Sequence, residues 1–386
     1  MWKFVFQVIP VMAWGVAALV VVKPLRLPRL PSLLAVAALG VAFGKFAFFA
    51  LAGGDGFVPD LPVWSILAYG WLYGAAMLLA ALSFAACIFD GAMLVARHPV
   101  SVRAKRIRCV LLAVFAVALS LYGIREGVRI PPVRRIEITC PDLPQSFDGY
   151  RIVHMSDLHC STAARRGRFE RIVERVNALK PDLVVITGDF VDGTVADRGD
   201  DIAPLAGLRA KDGVLGCTGN HEAYWEWGRW LVALESLGVV FPEVSGVHVI
   251  RRGGDALAVG GLVDPAFWRM DDGAMSYPNA KDAFVNAPDG AFRILLFHRP
   301  MAAATDAVSA DVRLQLSGHT HGGAMPLLRV LVERANEGRS RGLYEFAPGR
   351  ILHLSPGTGQ WAGFPLRLFT PTEITELVLR AEHKRR

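Results

Sequence analysis

The sequence predicts an α/β fold: a layered sandwich of two mixed β-sheets flanked by helices, preceded by four transmembrane helices. Three observations carry this expectation. Apolar residues make up 53% of the 386-residue chain, more than a soluble domain holds, and the excess is concentrated in the first third. From Pro131 onward the apolar runs shorten to strand length and recur. Between them, two stretches show the apolar period of amphipathic helices.

Four apolar runs open the chain. Phe4 to Val22 is interrupted by Gln7 and Pro10, Leu33 to Ala52 carries Lys45, and Val63 to Phe89 is longer than a bilayer requires. Cys109 to Ile124 is short against the ~20 residues of a span. Such a succession, separated by Pro- and Arg-containing loops, does not read as buried core helices. The first run exceeds the apolar part of a signal peptide, about 7–15 residues, and Lys23-Pro24 follows where small residues would mark cleavage. A retained anchor is expected.

Lys23, Arg26 and Arg29 follow the first run, and Arg97, Arg103, Lys105, Arg106 and Arg108 precede the fourth. Only Asp55 and Asp60 lie between the second and third. Basic loops favour the cytoplasm, so both termini are expected outside. Arg125, Arg129, Arg134 and Arg135 run against that orientation. The five cysteines are scattered without a C-x-x-C pair, which excludes a disulfide framework. The net charge of +7 derives partly from these loops and implies no nucleic acid.

The expected organisation is a membrane domain over 1–125, a linker with a leading strand over 126–148, and a catalytic domain over 149–386. Val133 to Thr139 reads as that leading strand. Strands are expected at 151–156, 183–187, 213–217, 247–250, 256–262, 293–298, 312–317, 350–354 and 374–380. One helix carries Phe169, Ile172, Val173, Val176 and Leu179 on a stripe. A second, from about Glu222 to Leu237, carries Trp227, Trp230, Leu231 and Leu234. Helices alternate with strands early, and strands follow one another late, which points to two mixed sheets.

Five of the strand-like runs end alike. "YRIVHMSDLHCS" presents Asp157 and His159, and "LVVITGDFVD" presents Asp189. "GVLGCTGNHEAYW" presents Asn220, His221 and Glu222. "FRILLFHRP" presents His298, and "VRLQLSGHTHGG" presents His319 and His321. Strand ends collect ligands in open α/β sheets, and glycine there permits sharp turns. Each motif alone is a turn signal, but together they claim five of the ten histidines. The ordered set indicates a metal centre.

These forms, "SDLH", "GDFVD", "GNHE" and "GHTHGG", resemble the calcineurin-like metallophosphoesterase superfamily and its bacterial membrane-associated phosphodiesterase branch. The resemblance covers residues 133 to 386. Ala324 departs from it, standing where that branch commonly has Gln. The resemblance implies two divalent metal ions, one held by Asp157, His159, Asp189 and His321, the other by Asp189, Asn220, His298 and His319, with Asp189 bridging. Asp, Asn and His without Cys suit Mn²⁺, Fe or Zn²⁺. It further implies attack on phosphorus by a hydroxide shared between the ions, with His221 protonating the leaving oxygen. Glu222 or Asp192 either orients His221 or caps a helix or turn.

Around the site, Arg299 is a candidate to grip a substrate phosphate. Arg165, with Arg166 and Arg168, stands before a helix where its dipole disfavours cations; phosphate, an anionic lipid surface or solvent would hold it there. Trp225 and Tyr224 are candidate cleft walls, and Trp361 and Phe364 either line the cleft or rest on the bilayer. His154, His248 and His353 read as structural, and Cys160 as a filler.

The expected function is a membrane-anchored phosphodiester or pyrophosphate hydrolase of the bacterial cytoplasmic membrane, its catalytic domain extracytoplasmic. The tether points to membrane lipids or lipid-linked phosphoesters as partners. A hydrolase like UDP-2,3-diacylglucosamine pyrophosphatase is the alternative, but its cytoplasmic substrate conflicts with the orientation. A receptor or scaffold is disfavoured because no ligand is missing. A transporter has only Lys45 to support it.

Overall fold

A computed structural model describes residues 8–270, 277–301 and 306–382. The chain divides into two compact units, Met1–Gly127 with Ala362–Leu368, and Val128–Trp361 with Phe369–Arg386.

Among the described residues of the first unit, two helices are long and apolar enough to cross a membrane, Val63–Val95 and Val102–Val128. A third span exists if Arg29–Phe43 and Lys45–Gly53, bent by 64°, are counted as one. Four spans were expected. The first begins in residues outside the described set, and its described part, Ile9–Leu25, falls short of a span. The second breaks at Gly44, where the backbone leaves helical geometry. The fourth, the shortest on paper, forms a helix of 27 residues, because the basic residues before it and those after it continue the helix. Asp90 reconciles a carboxylate with an apolar helix: it accepts two hydrogen bonds from Arg108, at 2.8 and 2.7 Å, and lies 3.2 Å from Lys105.

The segment Ala362–Leu368 packs within this first unit. Lys45 Nζ donates to the Gly363 carbonyl, and the Arg367 N–H donates to the Gly123 carbonyl at 3.0 Å. Phe364 meets Tyr73 edge-on, with ring centroids 6.1 Å apart. Glycines in the helices leave room for the segment. A Cβ at Gly74 would stand 2.4 Å from Leu366 Cδ1, and one at Gly70 2.7 Å from Pro365 Cγ.

The second unit holds two six-stranded sheets. The first comprises β1 (Val133–Cys140), β2 (Arg151–Met155), β3 (Leu183–Thr187), β4 (Val214–Cys217), β5 (Val239–Val240) and β12 (Ile374–Ala381), in the order β1-β12-β2-β3-β4-β5. The second comprises β6 (His248–Arg252), β7 (Asp255–Leu262), β8 (Phe292–Phe297), β9 (Val312–Ser317), β10 (Gly342–Ala347) and β11 (Arg350–Leu354), in the order β10-β11-β9-β8-β7-β6. Both are mixed. In the first, only β12 and β2 pair antiparallel. In the second, β6 and β10 add antiparallel edges to the parallel strands β7, β8, β9 and β11.

Side-chain alternation builds the layers. Ile152, Leu183, Val185 and Leu215 meet Ile294, Leu296, Leu314 and Leu316 of the other sheet. Val153, Met155, Val184 and Ile186 point the opposite way, onto Phe169, Ile172 and Val176 of the helix Arg166–Ala178. Each such side chain contributes roughly 1.5–3 kcal/mol by burial. Strands covered on both faces read as continuous apolar runs, as β3 does. Two buried histidines join the sheets: His154 Nδ1 of β2 lies 2.8 Å from His353 Nδ1 of β11.

All nine expected strands of the second unit form, as β2 to β4, β6 to β9, β11 and β12, and the leading strand forms as β1. The two-residue β5 and the edge strand β10 were not anticipated. The expected helix from Glu222 is broken into Asn220–Tyr224 and Trp227–Ser236 by extended backbone at Trp225. Within the second piece Trp230 is buried, while Trp227, its first residue, is 49% exposed and meets Phe267 edge-on.

Candidate metal centre

Each expected ligand leaves a strand at its C-terminal end. Asp157 and His159 follow β2, Asp189 follows β3, and Asn220 follows β4 in the first sheet. His298 follows β8, and His319 and His321 follow β9 in the second. Five of these residues, Asp157, His159, Asp189, His319 and His321, hold positive φ between 46° and 73°. Such backbone costs about 1–3 kcal/mol per residue and persists only where the surroundings fix it.

Glu222 supplies much of that fixing. Its carboxylate accepts N–H bonds from Asp189 (3.0 Å), Phe190 (2.7 Å), Val191 (3.3 Å) and Gly219 (2.7 Å). It therefore clamps the loop after β3 to the loop after β4 and does not orient His221. Glycine is required where these loops meet. A Cβ at Gly219 would lie 2.2 Å from Asp189 Oδ1, and one at Gly318 only 1.7 Å from Ser156 Oγ. The Gly318 loop is tied in turn by the His319 N–H, which donates to both oxygens of Asp157 at 3.1 Å.

Among the described residues the side chains converge in three overlapping groups, one of which joins His159, Asp189 and His221. Asp157, His159 and His321 each offer a ligating atom within 4.8 Å of the others, and so do Asp189, His298 and His319. His159 Nε2 lies 3.1 Å from His321 Nε2, and His298 Nε2 lies 3.3 Å from His319 Nδ1. Asp189 Oδ2 stands 3.2 Å from His298 Nε2 and 3.8 Å from His159 Nε2, between the groups. The outward nitrogens are engaged: His298 Nδ1 donates to the Thr187 carbonyl at 2.8 Å, and His159 Nδ1 meets Asp192 Oδ2 at 3.1 Å. Such bonds fix imidazole tautomers for ligation.

These residues fit divalent ions on their own chemistry. Asn220 Oδ1 is buried without a hydrogen-bond partner, a state that normally costs about 1–3 kcal/mol and that a cation relieves. Burial would raise the pKa of Asp189, but the imidazoles of His298, His221 and His159 outweigh it and hold the carboxyl well below its usual range. Burial would lower His298; Asp189 and Asp157 push it up to about 10. The cluster thus demands positive charge at its centre.

His221 stands beside both ligand groups. Its Nδ1 meets Asp192 Oδ1 at 2.5 Å, and its Nε2 lies 3.9 Å from Asp189 Oδ2. Burial alone would lower its pKa, yet Asp189 and Asp192 raise it to about 9. Tyr224 and Trp361 flank the ring, with centroids 5.5 and 6.2 Å away.

The remaining candidates separate. Arg299 borders the cluster, with Nη1 3.4 Å from His319 Nε2. Trp225, partly buried, packs against the helix-side core, and Tyr224 lies beside His221. Arg165 is exposed, and its Nε donates to the Thr162 carbonyl at 3.3 Å. Arg166 pairs with Glu170 at 2.9 Å. Arg168 is buried and donates to the carbonyls of Val128, Arg129 and Thr358, so protein carbonyls hold this cation at the helix start.

Sequence reasoning missed Asp264. It follows β7, as the expected ligands follow their strands. It accepts the Ala266 N–H at 2.8 Å, and it also holds Arg299.

A profile described as calcineurin-like phosphoesterase matches residues 150–323, a span that contains all seven expected ligands and His221. A transmembrane protein with metallophosphoesterase domain from Danio rerio is 33% identical over 279 residues, 70% of this chain and 62% of its own. A Bos taurus protein of the same description is 32% identical, with 63% of its length matched. The chain thus spans less than two thirds of these two relatives. An uncharacterized metallophosphoesterase of Helicobacter pylori is 30% identical over 280 residues, 72% of each chain. Seven expected ligands at the ends of five strands, the profile match and these relatives agree: the chain belongs to the calcineurin-like phosphoesterase family.

Proposed function

We propose that this protein is a membrane-anchored phosphoesterase with two divalent ions, hydrolysing phosphodiester or pyrophosphate bonds. The observation that carries the reading is the meeting of two ligand groups at Asp189, with His221 beside them. Asp157, His159, Asp189 and His321 would hold one ion, and Asp189, Asn220, His298 and His319 the other. Bound there, Mn²⁺, Fe or Zn²⁺ would supply Lewis acidity toward phosphoryl oxygen and water.

The protein's own contribution is order and a proton. Asp192 accepts at Nδ1 of His221 and leaves the Nε2 proton facing the cluster. From there it can pass to the departing oxygen of the ester. Tyr224 and Trp361 restrict the ring to that orientation. Membrane anchoring is supported by the two to three spanning-length helices and by relatives described as transmembrane proteins. An anchored hydrolase meets membrane-borne substrates most often, and the basic loops around the first and fourth apolar runs favour an extracytoplasmic site. Lipid phosphoesters are therefore the proposed substrate class.

The test uses the full chain in detergent micelles, stripped of metal and reloaded with Mn²⁺, Fe²⁺ or Zn²⁺ in turn. Two ions per chain and hydrolysis of aryl and lipid phosphodiesters are expected. A reloaded protein that cleaves neither phosphodiesters nor pyrophosphates would refute the reading.

A further inference from the structure

We infer that Arg299 and the outer nitrogen of His319 form a two-donor pocket for one phosphoryl oxygen of the substrate, and that Asp264 is the positioning residue that aims Arg299. The inference rests on the phosphoesterase reading above. It starts from the tautomer of His319. Nδ1 of that ring faces His298 Nε2 at 3.3 Å, inside the ligand group with Asp189. An imidazole that offers its lone pair through Nδ1 carries its proton on Nε2. That Nε2 stands 3.4 Å from Arg299 Nη1. A guanidinium has no lone pair to accept with, so two donors face each other and neither can satisfy the other. An acceptor oxygen reaching both resolves the arrangement, and anionic phosphoryl oxygen is the acceptor this family's chemistry brings.

The rest of the guanidinium is already committed. Arg299 Nε donates to Asp264 Oδ2 at 2.8 Å, and Nη2 donates to Asp264 Oδ1 at 3.0 Å. This fork leaves Nη1 as the free end and fixes where it points. Asp264 is fully buried, and a third bond, accepted from the Ala266 N–H, ties it to the helix Pro265–Met270. The Arg299 side chain keeps 16% of its surface exposed, so its free end is reachable. A single acid thus sets the direction of a single donor without facing the anion.

The experiment titrates inorganic phosphate into the full, metal-loaded chain in micelles, reading its dissociation constant by calorimetry beside KM, kcat and metal stoichiometry. Arg299→Ala is expected to weaken phosphate binding about 10–100-fold, the range for a bond to a charged group, with both metal ions retained. Arg299→Lys keeps the charge but not the fork, and is expected to recover only part of the loss. Asp264→Asn preserves the cap on Ala266 and is expected to weaken phosphate binding in the same direction by less, with KM rising more than kcat falls. Phosphate binding within about twofold of wild type in Arg299→Ala would overturn the inference. So would loss of a metal ion in that variant, which would assign Arg299 to ligand support. If Asp264→Asn fails to fold, Arg299→Lys carries the test of aim against charge. Failure of the phosphoesterase reading shows differently, as a wild-type protein that hydrolyses nothing while phosphate titration still separates it from Arg299→Ala.

Discussion

Asp192 divides its carboxylate between two imidazoles, Oδ1 meeting His221 Nδ1 at 2.5 Å and Oδ2 meeting His159 Nδ1 at 3.1 Å. One acid therefore orients both an expected ligand and the expected proton donor. Asp192→Ala should lower metal affinity about 10–100-fold, the usual effect of losing a ligand's outer partner, and kcat with it. Metal titration followed by steady-state kinetics checks this. Unchanged metal affinity would show that His159 needs no such support.

His221→Ala should separate the two effects. Its loss removes a proton donor but no ligand, so both ions stay while kcat falls by about 10²–10⁴-fold. The deficit should be smaller for p-nitrophenyl esters, whose leaving group needs no proton, than for alkyl esters. An equal deficit on both would remove the proton-donor role.

Gly219→Ala tests the close approach of two loops. Its methyl would fall 2.2 Å from Asp189 Oδ1, so the central carboxylate or the loop must move. Overpacking of this kind costs about 1–3 kcal/mol. Thermal unfolding should show a lowered midpoint together with weaker metal binding. Gly167→Ala, where a methyl meets open space in a helix, serves as the comparison and should lower neither.

The His154–His353 bridge makes stability depend on pH. Burial holds His353 down at about 3 and His154 well below its ordinary value. An unfolded histidine binds its proton near ~6.5. Between those values the unfolded chain carries protons that the folded chain refuses, so this contribution is complete above about 6.5 and is lost as pH falls toward 3. Denaturant unfolding at pH 7 and pH 5 should show the loss. His353→Gln should shrink the difference between the two pH values, and an undiminished difference would exonerate this pair.

Much of this was legible in the sequence because ligands sit where strands stop. Apolar runs such as Leu183 to Thr187 mark their own ends, and Asp, Asn or His beside Gly is conspicuous there. What stayed hidden depends on partners distant in sequence. Glu222 does cap its helix, but nothing local reveals that four amide groups from two loops converge on it. The bond of Asp264 to Arg299 joins residues 35 apart. The helix from Glu222 was overdrawn because a conformational break at Trp225 leaves the spacing of apolar residues intact. The count of spans failed for a related reason, since hydropathy records apolar length and not the bend at Gly44.

The seven residues Ala362–Leu368 carry a practical warning. Because they belong with the amino-terminal unit, the polypeptide passes from one unit to the other three times, and no single cut releases an intact hydrolase. A truncated chain beginning near Val128 would retain Phe364, Pro365 and Leu366 stripped of the glycine-lined seats that receive them. Orphaned apolar residues of that kind foster clumping, so poor behaviour of such a fragment would reflect surgery and not an inactive enzyme.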